Sequence, residues 1–414
     1  MLTKFTIIVP TRERADSLKY CLHNLLRQQY QNFEILVSDN NSHDSTSQIV
    51  SSFGDERIRY VNTESRVSMT HNWEFALTHV NEGWILFIGD DDGLLPYALS
   101  TLDEVIRETG CEALTTASCT YWWPLHFASI PDGSLSIPFP IKQPYEIKNS
   151  AFMLNRVMCG RSSYSELPWL YNGGASSLEL VRSLRARSGK YFHSRNPDVY
   201  SAISLALGTQ TYVSVNIPIA INGASKFSSG TSYMLGQKND PSSATSLMLG
   251  ESNLLFHPTL ESGKSSQILV YESYLQAIHL YDQPLYELSE QIKIALIIAP
   301  NSDYQDILSD CRVIAEKNCI AMPGEIKIRI FRATYRFYGM CRAITRRRTI
   351  KLSARGLGVW DVSNAGDVAN YIYQMFDCLT KQSLFIRLLS FTYIYLISIG
   401  RYCERISRRY RRSN

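Results

Sequence analysis

Through the first quarter of the chain, short apolar runs alternate with apolar residues at helical spacing. Phe5–Val9 (FTIIV), Phe33–Ser38 (FEILVS), Ile58–Val61 (IRYV) and Trp84–Ile88 (WILFI) have strand length and are rich in β-branched or aromatic residues, the pattern of strands buried in a sheet. Leu18, Cys21, Leu22, Leu25 and Leu26 recur every three or four positions after the first strand, with Asp16 the expected cap. Ile49, Val50 and Phe53 predict a short helix, and Trp73, Leu77 and Val80 another. Leu99, Leu102, Val105 and Ile106 predict a helix after the fourth strand, and Ala113–Thr116 closes the series. Strand and helix in this rhythm give an α/β fold, a mostly parallel sheet flanked by helices. Ligands of such sheets bind beyond the carboxyl ends of the strands. That rule selects three loops: Pro10–Arg14, Asp39–Asp44 and Gly89–Gly93.

The pattern loosens after residue 118. Residues 119–224 are aromatic and proline-rich in their first part, with short irregular pieces, and 225–265 are expected to be a flexible loop rich in Ser, Gly and Asn. Helical spacing returns from about 266, and 266–414 is read as a helical, basic region. Ser383–Gly400 is apolar on every side except at Arg387. It fits an interfacial membrane contact or a core helix, and is barely long enough to span a bilayer.

The chain has 414 residues, 45% of them hydrophobic, which is enough for more than one core. The net charge of +4 excludes a polyanion binder by bulk charge, and no nucleic-acid partner is expected. The basic residues are unevenly spread, however. Arg346–Arg348 form one cluster, and Arg405, Arg408, Arg409, Arg411 and Arg412 form another, a distribution that suits an anionic membrane surface. Nine cysteines without a CxxC pair suit a reducing compartment. The first residues carry too short an apolar run for a signal peptide. The expected location is cytoplasmic, with peripheral attachment to the inner membrane through the basic segment.

The three loops hold the candidate chemistry. Asp90, Asp91 and Asp92 end the fourth strand. Adjacent carboxylates repel unless a cation or ligand compensates, and their oxygens suit Mg²⁺ or Mn²⁺ bound together with a diphosphate. A solvated acidic turn is the plainer alternative. Asp39 ends the second strand, where an acid can accept hydrogen bonds from a base or ribose. Asp44 reads better as a helix cap. Pro10, Thr11 and Arg12 are candidates for nucleotide contact, ahead of Arg14. His71, His126 and His193 stand alone and are expected to be structural.

Together FTIIVPTRERADSLKYCLHNLLRQQYQNFEILVSDNNSHDST, RVSMTHNWEFAL and GWILFIGDDDGLLP resemble the nucleotide-binding half of family 2 glycosyltransferases with the GT-A fold. The resemblance implies a Rossmann-like sheet, a nucleotide-diphosphate sugar as donor, inversion at the transferred carbon and a divalent metal on the acids. It implies Asp39 at the base, UDP-sugars favoured, Asn72 at a usual Asn, and Arg66 reaching the diphosphate. Gly89 stands where many relatives have the first acid. Asp91 matches the main metal-ligand position, with Asp90 or Asp92 supplying the other contact; Asp92 is assigned to the metal and Asp90 to the donor. Inversion needs a base for the acceptor hydroxyl. Asp198, at a predicted helix start in RNPDVYSAISLAL, suits the family's acid, or is a plain cap; Glu166 is a weaker rival. Tyr171–Val181 (YNGGASSLELV) resembles the segment beside donor sugar and acceptor, where Gly173 and Gly174 would let backbone approach the ligand. The expected acceptor is a glycan or lipid-linked glycan of surface polysaccharide synthesis. A nucleotidyltransferase would share sheet and acids but show a Gly-rich loop that VPTRER lacks. A non-catalytic sugar-nucleotide-binding subunit remains the other alternative.

Overall fold

The computed structural model describes residues 2–123, 133–138, 143–225, 228, 254–261, 263–281, 285–345 and 349–353. In chain order the first half runs β1 (Phe5–Thr11), α1 (Ala15–Leu25), β2 (Phe33–Asp39), α2 (Thr46–Ser52), β3 (Ile58–Asn62), α3 (Met69–Leu77), β4 (Trp84–Phe87), β5 (Gly93–Leu94), α4 (Ala98–Thr109) and β6 (Ala113–Trp122). Then come β7 (Ser134–Pro138), β8 (Tyr145–Asn149), α5 (Ser150–Met158), a 3-10 turn (Tyr164–Glu166), β9 (Ala175–Ser177), α6 (Leu178–Arg185), α7 (Pro197–Gly208) and β10 (Thr211–Ala224). The remainder is α8 (Ser266–Ile278), α9 (Leu288–Ile298), α10 (Tyr304–Lys317), α11 (Glu325–Thr345) and β11 (Thr349–Ser353).

The strands form one mixed sheet. β3, β2, β1 and β4 are neighbours in that order and all parallel, as the βα rhythm requires. The loosened stretch adds structure that the sequence pattern did not predict. β9 inserts antiparallel between β4 and β6, and β10 runs parallel to β6 but antiparallel to β5 and β8. β10 takes Pro218 at a register shift, where a residue without N–H is tolerated. Pro10 is placed by the same logic: it pairs with Ser38 of β2, beyond the last β1–β4 partners, Ile8 and Phe87. Thr11 and Asn62 flank Asp39 across three aligned strand ends.

The sheet divides two cores. Phe5, Ile7 and Val9 of β1 face α1 and α4, where Leu18, Leu22, Leu99 and Leu102 are fully buried. Ile8, Leu36, Ile85 and Phe87 face the other way, into a core with Trp73, Val181 and Ile203. Strands that read as unbroken apolar runs therefore alternate between two buried faces. Helices α8–α10 belong to the second core through Ile268, Leu275, Ile292, Ile307 and Ile314, and α11 joins it through Ile328. No helix among the described residues is long and apolar enough to cross a membrane. The apolar stretch 383–400, both arginine clusters and most of the loop 225–265 lie outside the described residues.

The cap of α1 is not Asp16. Asp44 accepts from the backbone N–H of Ala15 at 2.9 Å, and from the N–H and hydroxyl of Thr46, the first residues of α1 and α2. One carboxylate thus serves two helix N-termini and fixes the loop after β2 against the loop after β1. Burial opposes its charge, but these hydrogen bonds win and hold its pKa below the usual carboxylate range. Asp44→Ala is expected to cost about 1–2 kcal/mol in urea unfolding at pH 7. A lowered folded pKa means stability present above the unfolded value and lost as pH falls through the folded one. The gap to wild type should therefore narrow in acid.

Candidate active site

The acid turn begins where β4 ends. Phe87 donates its N–H to the carbonyl of Leu170, and Asn172 donates to the carbonyl of Phe87, so Tyr171 runs beside the last residue of β4. The next three carboxylates, all buried, point to different partners. Asp90 accepts from the Thr11 hydroxyl at 2.7 Å and from Arg14 Nη1 at 2.9 Å. Asp91 accepts from the Ser225 hydroxyl at 2.5 Å through Oδ2. Asp92 accepts from the N–H of Gly223 through Oδ1, and from the N–H of Gly89 and the Tyr171 hydroxyl through Oδ2. Burial alone would lower the pKa of Arg14, but Asp90 and Asp91 raise it, so the guanidinium is a fixed positive charge under the turn.

Two carboxylate oxygens and one phenol oxygen nevertheless gather at one point. A Cβ on Gly89 would stand 2.7 Å from Asp92 Oδ2, 2.9 Å from the Tyr171 hydroxyl and 3.0 Å from Asp91 Oδ1. This explains Gly89 at the first position of the acid motif: a side chain there would fill the space that these oxygens line. Burial raises the pKa of both Asp91 and Asp92, and the charge of Asp92 adds to the rise at Asp91. An oxygen-only pair with unfavourable charge fits a hard divalent cation that completes its shell with diphosphate and water. No group of three or more His, Cys, Asp or Glu that could hold a metal occurs among the described residues. Asp90 is engaged by Thr11 and Arg14, whereas Asp91 Oδ1 and Asp92 Oδ2 line the space at Gly89.

The turn is closed from above by β10 and the residue after β6. Trp123 donates its indole N–H to the Asp91 carbonyl at 3.0 Å, and a Cβ on Gly223 would stand 1.8 Å from that same oxygen. Since the obstacle is backbone, Gly223→Ala must displace the turn. A loss of about 1–3 kcal/mol is expected in urea unfolding, with loss of Mn²⁺-dependent donor binding.

Other expected contacts are already spent inside the protein. Asp39 accepts from the N–H and hydroxyl of Ser42, the Tyr60 hydroxyl at 2.6 Å and the Asn62 amide, so a base reaching it must share or displace these donors. Asn72 is engaged in the same way: its amide oxygen accepts from the Ser38 hydroxyl and its NH₂ donates to the Ser38 carbonyl, which pins α3 to β2. Gly173 and Gly174 lie against protein atoms. Gly173 has φ 89°, and a Cβ there would meet Thr116 Oγ1 at 2.6 Å; at Gly174 it would meet Trp169 at 2.3 Å. Both are glycines because protein, rather than ligand, approaches them. Arg66 is exposed and ion-paired with Glu13, which also accepts from the N–H groups of His43 and Asp44. Arg12 is half-buried in the loop between β1 and α1.

Asp198 lies in the first turn of α7, after Pro197 at the helix start. The Tyr164 hydroxyl donates to Asp198 Oδ2 at 3.2 Å. Burial raises the Asp198 pKa above the ordinary carboxylate range, against the opposing effect of that bond and of the Val199 N–H. Tyr171 links it to the acid turn: burial first, then Asp92, Asp91 and also Asp198, push the Tyr171 hydroxyl far above its usual pKa, so it remains a donor. Its ring lies 5.7 Å from Trp169 and 5.8 Å from Trp73, and Trp169 lies 5.9 Å from Tyr164. Glu166 is on the same 3-10 turn as Tyr164.

The loop leading to Asp198 is braced from two helices. The Thr70 hydroxyl of α3 donates to the Ser194 carbonyl, and the Ser194 hydroxyl donates to Glu272 of α8. Glu272 is fully buried, is bonded also by Gln276, and has its pKa raised chiefly by burial. Sequence reasoning missed Tyr164, Tyr171, Gly223 and Glu272. The signal for Glu272 was present: it is the one charged residue in SQILVYESYLQAI, a position that demands a buried partner.

The chain is similar to several known proteins. The model of glycosyl transferase family 2 matches residues 6–121. The GalNAc(5)-diNAcBac-PP-undecaprenol beta-1,3-glucosyltransferase of Campylobacter jejuni is 34% identical over 110 residues, covering 26% of this chain and 36% of that one. The UDP-Glc:alpha-D-GlcNAc-diphosphoundecaprenol beta-1,3-glucosyltransferase WfgD of Escherichia coli is 30% identical over 87 residues, 21% of this chain and 34% of that one. The chain thus spans about a third of the length of these curated relatives. The crystal structure of S. aureus TarS 1-349 in complex with UDP has a TM-score of 0.45 at 16% identity, over 80% of this chain and 91% of that one. The match to glycosyl transferase family 2 thus runs from β1 to β6.

Proposed function

We propose that the protein is an inverting, metal-dependent glycosyltransferase that moves a sugar from a nucleotide-diphosphate donor, a UDP-sugar, to a lipid-linked glycan of a surface polysaccharide. What supports the reading is the meeting of two acid sites at Tyr171: the Asp91–Asp92 pair beyond β4, and Asp198 at the start of α7. In this reading Thr11 and Arg12 at the end of β1 and Asp39 at the end of β2 would meet the nucleotide, and Arg66 would reach the diphosphate. Mg²⁺ or Mn²⁺ held by Asp91 and Asp92 would supply charge neutralisation at the leaving diphosphate. Arg14, fixed by Asp90, adds a permanent positive charge beneath it. Asp198 takes the proton from the acceptor hydroxyl, and the acceptor oxygen forms its bond to the anomeric carbon as the bond to the diphosphate oxygen breaks. The electron pair leaves with the nucleoside diphosphate, and the configuration inverts. A carboxylate with a raised pKa is the stronger base for this step.

The acceptor class follows relatives whose names carry undecaprenol-linked sugars. A lipid-linked acceptor suits peripheral attachment at the cytoplasmic face of a membrane, with the arginine clusters on anionic headgroups. The test is a panel of nucleotide sugars with Mn²⁺, read as binding and as slow release of nucleoside diphosphate. Turnover of one donor, lost without metal, is the expected result. Absence of metal-dependent binding to every donor would sink the reading.

A further inference from the structure

A cavity of about 350 Å³ opens beside the 3-10 turn, between the end of α5 and helices α8, α9 and α11. Arg161, Ser162, Tyr164, Glu166 and Tyr335 line it. Tyr164 is the residue whose hydroxyl is bonded to Asp198. We infer that this cavity is the subsite for the acceptor's terminal sugar residues, an assignment that rests on the reading of Asp198 as the base.

Its volume is at the lower end of small-ligand pockets, which run from about 300 to 1,000 Å³, and suits one or two sugar rings rather than a whole glycan or a lipid tail. Its chemistry is that of a neutral, hydroxylated ligand. Arg161 offers only donors and Glu166 only acceptors, and hydroxyls can satisfy both. Neither side chain has a hydrogen-bond or ion-pair partner among the described residues; the bonds these residues make are through their backbone N–H and carbonyl groups. A phosphate would meet Glu166 as a like charge, and a cation would meet Arg161. Tyr164 and Tyr335 add aromatic surface with a polar tip, suited to a sugar's mixed faces. Tyr164 joins the cavity to Asp198: it lines the one and its hydroxyl bonds the other. The helical C-terminal region then has a part in the reaction: α8 and α11 form the cavity's far wall.

The experiment uses the full chain and four soluble probes: maltose, cellobiose, lactose and N,N′-diacetylchitobiose, observed by saturation-transfer NMR and titration. Arg161→Ala and Tyr335→Ala alter exposed side chains, so both should fold. Binding of UDP with Mn²⁺ is measured in parallel. At least one disaccharide is expected to bind wild type, to be weakened at least tenfold in both variants, and to leave UDP binding unchanged. Failure of all four probes to bind, or equal binding by wild type and both variants, overturns the assignment. The proposed activity stands or falls separately, on metal-dependent donor binding and on transfer by Asp198→Asn.

Discussion

Asp198→Asn is expected to lower kcat by about 10²–10⁴-fold, the usual contribution of a positioned general base, while donor affinity stays within about twofold. The substitution is nearly isosteric and keeps an oxygen for the Tyr164 hydroxyl, so lost activity will not be lost fold. The pH profile carries the sharper test. Burial holds the Asp198 pKa above the ordinary carboxylate range, and the base works only when ionised. The rate of wild type should therefore rise with pH along a limb centred above that range. Tyr164→Phe removes a donor that favours the charged form, so the limb should move to higher pH, with activity recovered there. A structural role alone would lower the rate at every pH and leave the limb in place. Rates of sugar transfer between pH 4 and 9, with donor saturating, separate the two.

How much of this was legible in the sequence follows from the range of the forces involved. The parallel half of the sheet was readable because each strand there is a local apolar run and each connection a helix of regular spacing. β7 to β10 were not, since short strands such as Ala175–Ser177 exist only through partners far along the chain. The acid turn was found by composition and position, but its internal arrangement was not. Nothing local says that Asp90 turns to Thr11 and Arg14 while Asp92 folds back on Gly89. Asn72 and Gly174 show the same limit. Their residue types suit ligand contact, but nothing local says that the amide also holds Ser38 or that the glycine makes room for Trp169. Asp44 was legible as a cap, yet that it caps two helices needs the tertiary fold.

The long-range ties also explain how Asp198 and the acid turn are held in one region although more than a hundred residues separate them. Tyr171 extends β4 by backbone pairing and bonds Asp92, and Thr70 holds the Ser194 carbonyl from α3. Glu272 completes the brace from α8. The Thr70 and Glu272 ties are buried, and a buried polar contact is costly to leave half made. The parallel half of the sheet, the stretch after it and the helical region therefore hold one geometry between them, and α8 bears on the loop that leads to Asp198.

Asp91→Asn should abolish metal-dependent donor binding, and with it at least 10²-fold of kcat/KM, without unfolding the chain. The argument turns on charge. Asp91 is buried beside Asp92, an arrangement that disfavours its ionised form, and a cation is what relieves it. Replacing the carboxylate with an amide removes the repulsion and keeps an oxygen for the Ser225 hydroxyl, so the metal-free variant should melt no lower than wild type. The difference appears only on adding ligand. At a hundred times its dissociation constant a ligand stabilises the folded state by about 2.7 kcal/mol, so Mn²⁺ with UDP should raise the melting temperature of wild type and leave that of Asp91→Asn unmoved. Asp90→Asn provides the contrast. Its carboxylate is engaged with Thr11 and Arg14 rather than with the space beside Gly89, so this variant should lose stability yet retain a Mn²⁺-dependent shift. A full ligand shift in Asp91→Asn, or its complete loss in a folded Asp90→Asn, would move the metal from the Asp91–Asp92 pair to Asp90.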